Sequence, residues 1–528
     1  MQTRKIATST FWQLGSQAVA MLIGILSIKF VTTALSKSMV GNYQTVYSYL
    51  QIFGILADFG LYAIAIRELS TAKDKAKTFV SLFFLRAFIT VLSLGSALAL
   101  VWALPVFSGT PLPIGVSIAA LVPFFTLLAG MFRVVFQVSY KMQYVFISEV
   151  IGKILPVTLM AIVVFTGMRG SENIEHYKLI LAFGSIGSIT LFILSFWFAS
   201  RLPLLSKAKN SDLDNGLLSV CTGLSGWFAK FDKQEFGRLL RLSAPFGFAF
   251  LMTTIYRQSD VTLMAILRPN DYDIQNAYYG TVLRLADVGF LIPTFILNSA
   301  LPMMSNLEGK KEELNQFVHT LLYSLLSLGL IISLTSYFWA RPIVRLITRE
   351  SYLSTPVLAG SDTALELLSF SMFLSSIVTF CFYILLTRRS WRRLLVVMTV
   401  ASVISVGLNI VLIPMLGFVG AALTSIIVHI VLSISLSTIV FGLPGVFSVS
   451  KATFHGATSN TFARLVQFAK LVAFGVIYSF LLVWTVPLLS GPITTVLMGG
   501  VMMCVAGGLV WGMGLIGGQR SAISDQRP

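Results

Sequence analysis

The sequence predicts an all-α polytopic membrane protein with about 14 transmembrane helices, arranged as two parallel six-helix lobes around a central cavity plus two C-terminal helices. The 528 residues are 56% hydrophobic and only 11% charged. Apolar runs of roughly 20 residues recur from end to end, and each is long enough to cross about 30 Å of hydrocarbon. The runs are continuous, whereas barrel strands alternate apolar and polar residues, so helices must satisfy the backbone groups in lipid.

The apolar runs give the order of the predicted helices. We place them at 11–35, 42–66, 79–104, 114–139, 145–166, 177–200, 243–267, 277–303, 317–339, 361–386, 392–413, 418–441, 464–487 and 492–516. The first run follows Arg4 and Lys5 and lacks a small-residue cleavage site, which favours a retained helix over a signal peptide. Trp and Tyr near many helix ends are typical of the aromatic belts at membrane interfaces.

Basic residues orient the chain. Most of them fall in the loops between helices 2–3, 6–7, 8–9, 10–11 and 12–13, so we predict that this side and both termini are cytoplasmic. The net charge of +17 then reflects orientation and contact with anionic membrane lipids, not nucleic acid. Arg341, Arg345 and Arg349 are the exception on the other side. Their spacing favours a snorkelling interfacial helix over a mouth that attracts an anionic substrate.

The longest cytoplasmic connection divides the chain. We predict an N-terminal lobe at 1–200 (helices 1–6), a cytoplasmic linker with an amphipathic segment at 201–242, and a C-terminal lobe at 243–441 (helices 7–12). Residues 442–528 hold the two accessory helices and a cytoplasmic tail. Similar short sequences open helix 2 (YQTV) and helix 8 (YGTV), which indicates a parallel repeat.

Charged side chains inside the spans are candidates for function, because a charge in hydrocarbon costs several kcal/mol. Arg257 and Arg284 lie at matching depth in the outer halves of helices 7 and 8, and arginine binds phosphate with two hydrogen bonds. They are our main candidates for binding an anionic substrate. Lys29 in helix 1 and Arg133 in helix 4 are further basic candidates.

Several of these charges are spaced to pair along one helix. Arg257–Asp260 and Arg284–Asp287 are three residues apart, and Glu149–Lys153 are four apart, so each pair could neutralise itself and fix helix packing. For Glu149–Lys153, and for Asp58 and Arg86 near the cytoplasmic surface, we favour this packing interpretation.

The sequence argues against an enzyme. Three scattered cysteines and four separated histidines give no metal or general-base cluster, and no phosphate-binding loop of the ATPase type is present. The triplet Asp212–Leu213–Asp214 has the form of a metal-sugar motif, but it lies in a Ser/Asn-rich linker and such triplets are frequent by chance. We therefore predict no metal and no cofactor.

Four short stretches and three single residues carry a family resemblance. The sequence LNIVLIPMLGFVGAA at 408–422 resembles the junction of helices 11 and 12 in polysaccharide exporters. The runs GNY at 41–43 and LADFGL at 56–61 resemble helix 2 of the same proteins. Asp260, Tyr279, Arg284 and ALP at 300–302 also fit. Over nearly its whole length, the chain resembles the multidrug/oligosaccharidyl-lipid/polysaccharide (MOP) exporter superfamily, Wzx-type flippases in particular.

The resemblance implies a function. Such proteins carry undecaprenyl-pyrophosphate-linked oligosaccharide repeat units across the bacterial inner membrane by alternating access, for O-antigen, capsule or exopolysaccharide synthesis. Pathway glycosyltransferases and a polymerase are the implied partners. Asp260 and Arg284 match motif positions, whereas Lys29 and Arg257 are inferred from depth alone.

The sequence leaves the driving force and the substrate open. H⁺ or Na⁺ exchange at carboxylates and the membrane potential are both compatible with the sequence. The carboxylates proposed for ion coupling are Asp58, Asp260 and Asp287. A lipid II flippase and a cation-coupled multidrug antiporter of the same superfamily are the alternatives. The antiporter would favour an acid in helix 1, where this chain has Lys29.

Overall fold

A computed structural model describes residues 2–58, 60–71, 75–202, 233–307, 310–387, 390–441, 461–489 and 491–515. This part of the chain is helical, and its one β-bridge joins Leu35 to Ser171. Twelve segments of it are long and apolar enough to cross a membrane. The predicted all-α membrane fold is confirmed, while the count of about 14 spans stays a prediction.

The chain forms two compact units, Met1–Ala277 and Tyr278–Pro528. The first unit contains α1 (Gln2–Ala34), α2 (Lys37–Asp58), α3 (Leu61–Thr71), α4 (Lys75–Ala103), α5 (Leu112–Ala119), α6 (Leu121–Val138), α7 (Met142–Phe165), α8 (Ile174–Ser200), α9 (Lys233–Leu267) and the start of α10 (Tyr272–Asn306). The second contains the rest of α10, α11 (Lys311–Phe338), α12 (Ala340–Ile347), α13 (Ser361–Thr387), α14 (Trp391–Leu416), α15 (Phe418–Phe441), α16 (Thr461–Thr485) and α17 (Pro492–Gly512).

Two predicted helices are interrupted. The segment 42–66 divides into α2 and α3, because Gly60 has a φ of 67°, in the left-handed region where a helix cannot continue. The segment 114–139 divides into α5 and α6 at Ala120, three residues before Pro123, which has no N–H to bond the carbonyl of Ala119. A single continuous helix was the wrong expectation at both places.

Part of the predicted domain plan lies outside the described residues. This applies to most of the linker, with Asp212–Leu213–Asp214, to residues 442–460 and to the cytoplasmic tail from residue 516. Residues 233–242, at the end of the predicted linker, form the first turns of α9. The division into two six-helix lobes stays a prediction.

An aromatic core holds the first unit together. The ring of Phe132 on α6 lies 6.1 Å from that of Phe79 on α4 and 5.5 Å from that of Phe196 on α8. Leu239, near the start of α9, is fully buried in the same core. Since lipid offers no hydrophobic driving force, close packing of this kind is what stabilises the bundle.

The accessory helices attach to the second unit through α11. Trp339, Phe474, Tyr478 and Leu482 are buried together. The hydroxyls of Thr335 and Tyr478 lie 2.9 Å apart, and the indole N–H of Trp339 donates to the carbonyl of Leu482 at 3.3 Å. The packing and the two polar contacts fix α16 beside α11.

Candidate functional site

The first charged contact inside the first unit joins α2 to α4. Arg86 Nη2 lies 2.5 Å from Asp58 Oδ1, and the Arg86 side chain is only 3% exposed. Its Nε and Nη1 atoms are buried and have no hydrogen-bond partner among the described residues. A Cβ atom at Gly130 would lie 3.4 Å from Nη2, so this glycine leaves room for the guanidinium. Among the described residues, Asp58 is therefore the carboxylate that neutralises this deeply buried arginine.

The second charged contact is a network across four helices. Arg133 Nη1 on α6 lies 2.8 Å from Glu149 Oε1 on α7. The other carboxylate oxygen of Glu149 accepts the hydroxyl of Ser16 on α1. The Arg133 guanidinium lies 5.9 Å from the ring centroid of Tyr62 on α3, whose hydroxyl donates to Gln137 Oε1 at 2.6 Å. These residues connect α1, α3, α6 and α7.

The predicted pair of Glu149 and Lys153 is wrong. Glu149 is bound by Arg133 and Ser16, and no ion pair with Lys153 is found in the described part of the chain. The spacing rule considers one helix only, whereas α6 presents a planar guanidinium directly to the carboxylate. The same observation places Arg133, a predicted substrate ligand, in an ion pair.

The other predicted site residues are divided between the units. Lys29 on α1, Arg257 and Asp260 on α9 lie in the first unit, whereas Arg284 and Asp287 on α10 lie in the second. Asp260 is 6% exposed, and its Oδ1 accepts the N–H of Val261 at 2.8 Å. The side chains of Lys29, Arg257 and Arg284 are partly exposed. Their roles in binding and coupling stay predictions.

Sequence reasoning missed a buried polar junction in the first unit. We call the contacts of Asn42 and Thr45 with Tyr272 and Asn276 the α2–α10 junction. Tyr272 donates to Asn42 Oδ1 at 2.8 Å, and Asn276 Nδ2 donates to Thr45 Oγ1 at 2.8 Å and to the carbonyl of Val261 at 3.0 Å. The available signal was the run of amide and hydroxyl residues that opens an apolar helix.

A glycine makes the junction close. A Cβ atom at Gly41 would lie 1.6 Å from the carbonyl oxygen of Asp273, so no larger residue fits this backbone approach. The hydroxyl of Ser38 donates to the carboxylate of Asp273 beside it. Within the same unit, Arg238 near the start of α9 pairs with Glu68 of α3. Near the end of α9, the carbonyl of Val261 accepts from Asn276, so contacts inside the first unit hold both ends of this helix.

Apolar spans with paired charges inside them are typical of a multi-pass membrane transporter. A family model for polysaccharide biosynthesis proteins matches residues 6–308, more than half of the chain, and the protein belongs to that family. A second family model, MatE, matches residues 245–415. The two matches confirm the resemblance to the MOP superfamily and define the protein as one of its flippases or transporters.

Solved structures show the same fold. The lipid II flippase MurJ in an inward closed conformation is 15% identical, with a TM-score of 0.62 over 96% of this chain and 99% of that one. An inward-facing multidrug resistance MATE family transporter of the MOP superfamily is 14% identical, with a TM-score of 0.55 over 80% and 95%. A MOP superfamily transporter from Pyrococcus furiosus is 13% identical, with a TM-score of 0.54 over 84% and 96%. A search of the curated proteins gives no match.

Proposed function

We propose that the protein moves undecaprenyl-pyrophosphate-linked oligosaccharide repeat units from the cytoplasmic to the outer leaflet of a bacterial inner membrane by alternating access, with both termini cytoplasmic. The product serves O-antigen, capsule or exopolysaccharide synthesis. The family match over residues 6–308 carries the proposal. Glycosyltransferases that build the unit and a polymerase that consumes it are the proposed partners.

The chemistry of the substrate suits a protein with charges inside its spans. A glycan with a diphosphate cannot cross hydrocarbon unaided, whereas its lipid tail can stay in the bilayer. We propose that Arg257, Arg284 and Lys29 bind the diphosphate and acidic sugars. Arg133 already pairs with Glu149 through Nη1, so only its remaining N–H groups are available to the substrate while that pair is intact.

Two sources of energy fit the proposal. An inside-negative potential assists outward movement of an anionic head by about 2.3 kcal/mol per charge per 100 mV, if the full field is crossed. Alternatively, H⁺ or Na⁺ exchanges at Asp58, Asp260 or Asp287. Transport that persists in vesicles with an imposed potential of the favourable sign and no H⁺ or Na⁺ gradient would show that the membrane potential is the source.

Reconstituted vesicles test the function directly. The full-length protein is placed in liposomes with fluorescent undecaprenyl-pyrophosphate oligosaccharide, and a membrane-impermeant reductant reports which leaflet holds the label. We expect flipping by the wild type and reduced flipping by Arg257→Ala and Arg284→Ala. Arg169→Ala, which removes an exposed loop arginine, is the matched control.

The outcomes separate function from site. No flipping of this lipid by the wild type would refute the proposed function. Wild-type rates in both single variants and in the double variant would leave the function intact and remove the two arginines from it. Full recovery in Arg284→Asp/Asp287→Arg would show that these residues form a structural pair.

Two other functions have a specific observation in their favour. The chain aligns with 99% of the lipid II flippase, so lipid II belongs in the same assay as a competing substrate. The MatE match over residues 245–415 favours a multidrug antiporter. Uptake of an organic cation in exchange for H⁺ or Na⁺, with no flipping of either lipid, would support that function.

A further inference from the structure

A short helix and a tight turn connect two spans of the second unit. The spans are Glu313–Phe338 in α11 and Ser361–Thr387 in α13. Between them, α12 is followed by a turn in which the N–H of Thr355 donates to the carbonyl of Leu358 at 2.9 Å. A short segment that joins the end of one membrane-spanning helix to the start of the next lies at the membrane interface.

The arginines of this segment face outward from α12. Val344 and Ile347 are buried in the protein, whereas Arg341 is 61% and Arg345 57% exposed. Arg349 does not continue the row, because α12 ends at Ile347 and the backbone of Arg349 is extended. The predicted row of three is therefore a row of two, and the apolar face of the helix is already covered by protein.

The two exposed arginines are only weakly neutralised. Arg345 pairs with Glu350, which is itself exposed. Arg341 Nη1 lies 3.7 Å from Asp362 Oδ2, but this carboxylate already accepts the N–H of Ser354 at 2.7 Å and its hydroxyl at 2.6 Å. Exposed ion pairs add little net stability, because water and salt screen them. A phosphate that accepts two hydrogen bonds from one guanidinium can displace such partners.

The turn presents an apolar tip beside the arginines. Val357 is 89% and Leu358 66% exposed. The bonds from Ser354 to Asp362 fix the base of the turn, and a Cβ atom at Gly360 would lie 2.4 Å from the nitrogen of Ser354. Arg341 Nη1 lies 3.5 Å from the carbonyl oxygen of Ser354, which places the cationic row next to the turn.

We infer that Arg341, Arg345, Val357 and Leu358 form a docking surface for phospholipid headgroups. The guanidiniums bind the phosphates, with a preference for anionic lipids, and the tip of the turn inserts at the boundary between headgroups and acyl chains. The apolar tip favours a lipid over the transported glycan, because a sugar head gains nothing from Val357 and Leu358. In the predicted orientation this is the outer leaflet. The inference goes beyond the proposed function and needs no transported substrate.

Lipid-dependent stability tests the cationic row. The full-length protein is placed in nanodiscs of phosphatidylcholine, or of phosphatidylcholine with an equal amount of phosphatidylglycerol, and its Tm is measured. We expect the anionic lipid to raise the Tm of the wild type and of the Arg169→Gln control, and Arg341→Gln/Arg345→Gln to lose most of that rise. No rise in the wild type, or an equal rise in the double variant, overturns the inference. A rise produced by inorganic phosphate in phosphatidylcholine alone would mean a free-anion site and overturns it too.

Fluorescence quenching tests the apolar tip. Val357→Trp adds an indole at an exposed position, and its signal is the difference from the wild type. We expect lipids brominated near the glycerol backbone to quench the added fluorescence and aqueous acrylamide to have little effect. Strong quenching by acrylamide with none by the brominated lipid would place the tip in water and refute its insertion.

Discussion

At the scale of single residues, Glu149 and Arg133 depend on each other. Removing one member of a buried pair leaves an uncompensated charge, whereas replacing both with apolar residues is often neutral. Both are partly exposed, so solvent screening reduces the cost. We expect Glu149→Ala to destabilise the protein by about 1–3 kcal/mol. Arg133→Met/Glu149→Leu should recover most of it, as measured by denaturant titration in detergent. Additive losses of stability in the double variant would contradict the pairing. If the double variant is stable as expected, its flipping rate shows whether Arg133 takes part in transport.

Asp58 gives a second prediction at this scale, because Arg86 is more deeply buried. Two of the three Arg86 nitrogens have no partner in the described residues, so Asp58→Asn leaves the charge almost uncompensated. We expect a loss of about 3–5 kcal/mol, and near-complete recovery in Asp58→Asn/Arg86→Gln. The recovered variant also separates two roles of Asp58. Ion-dependent flipping that survives in it would exclude Asp58 as a coupling site.

At the scale of helices, the α2–α10 junction depends on the absence of a side chain at Gly41. Glycine to alanine inside a helix ordinarily stabilises by about 0.4–1 kcal/mol where space permits. A Cβ atom added at Gly95 on α4 would have no neighbour within 4 Å, whereas a Cβ at Gly41 meets the backbone of Asp273. We expect Gly95→Ala to raise the free energy of unfolding and Gly41→Ala to lower it and slow flipping. Equal effects of the two variants would refute the close approach.

Sequence patterns predict the positions of these helices better than they predict the contacts between their side chains. Apolar runs locate helix ends to within a few residues in most cases, and predicted helix 418–441 coincides with α15. They cannot locate the break at Gly60, since a glycine in an apolar run has the same composition whether its φ is negative or positive. Nor can spacing find the partner of Glu149, because Arg133 approaches from another helix. Shared depth does indicate a packing role for Asp58 and Arg86, but it does not show that one Arg86 nitrogen alone bonds the carboxylate.

At the scale of the whole molecule, the residues proposed for transport lie before residue 441. The accessory helix α16 lies beyond them and is attached to α11 by packing and two hydrogen bonds. Phe474 is fully buried against α11, and Phe480 on the same helix is 73% exposed. Phe474→Ala should therefore cost about 3–5 kcal/mol. Phe480→Ala should change stability little, because its exposed ring has few protein contacts to lose. We expect both variants to flip lipid at the wild-type rate below their unfolding temperatures. Lost flipping in a folded Phe474→Ala protein would instead show that the accessory helices take part in the transport cycle. Flipping rates in vesicles, measured together with a melting curve for each variant, distinguish lost transport from lost stability.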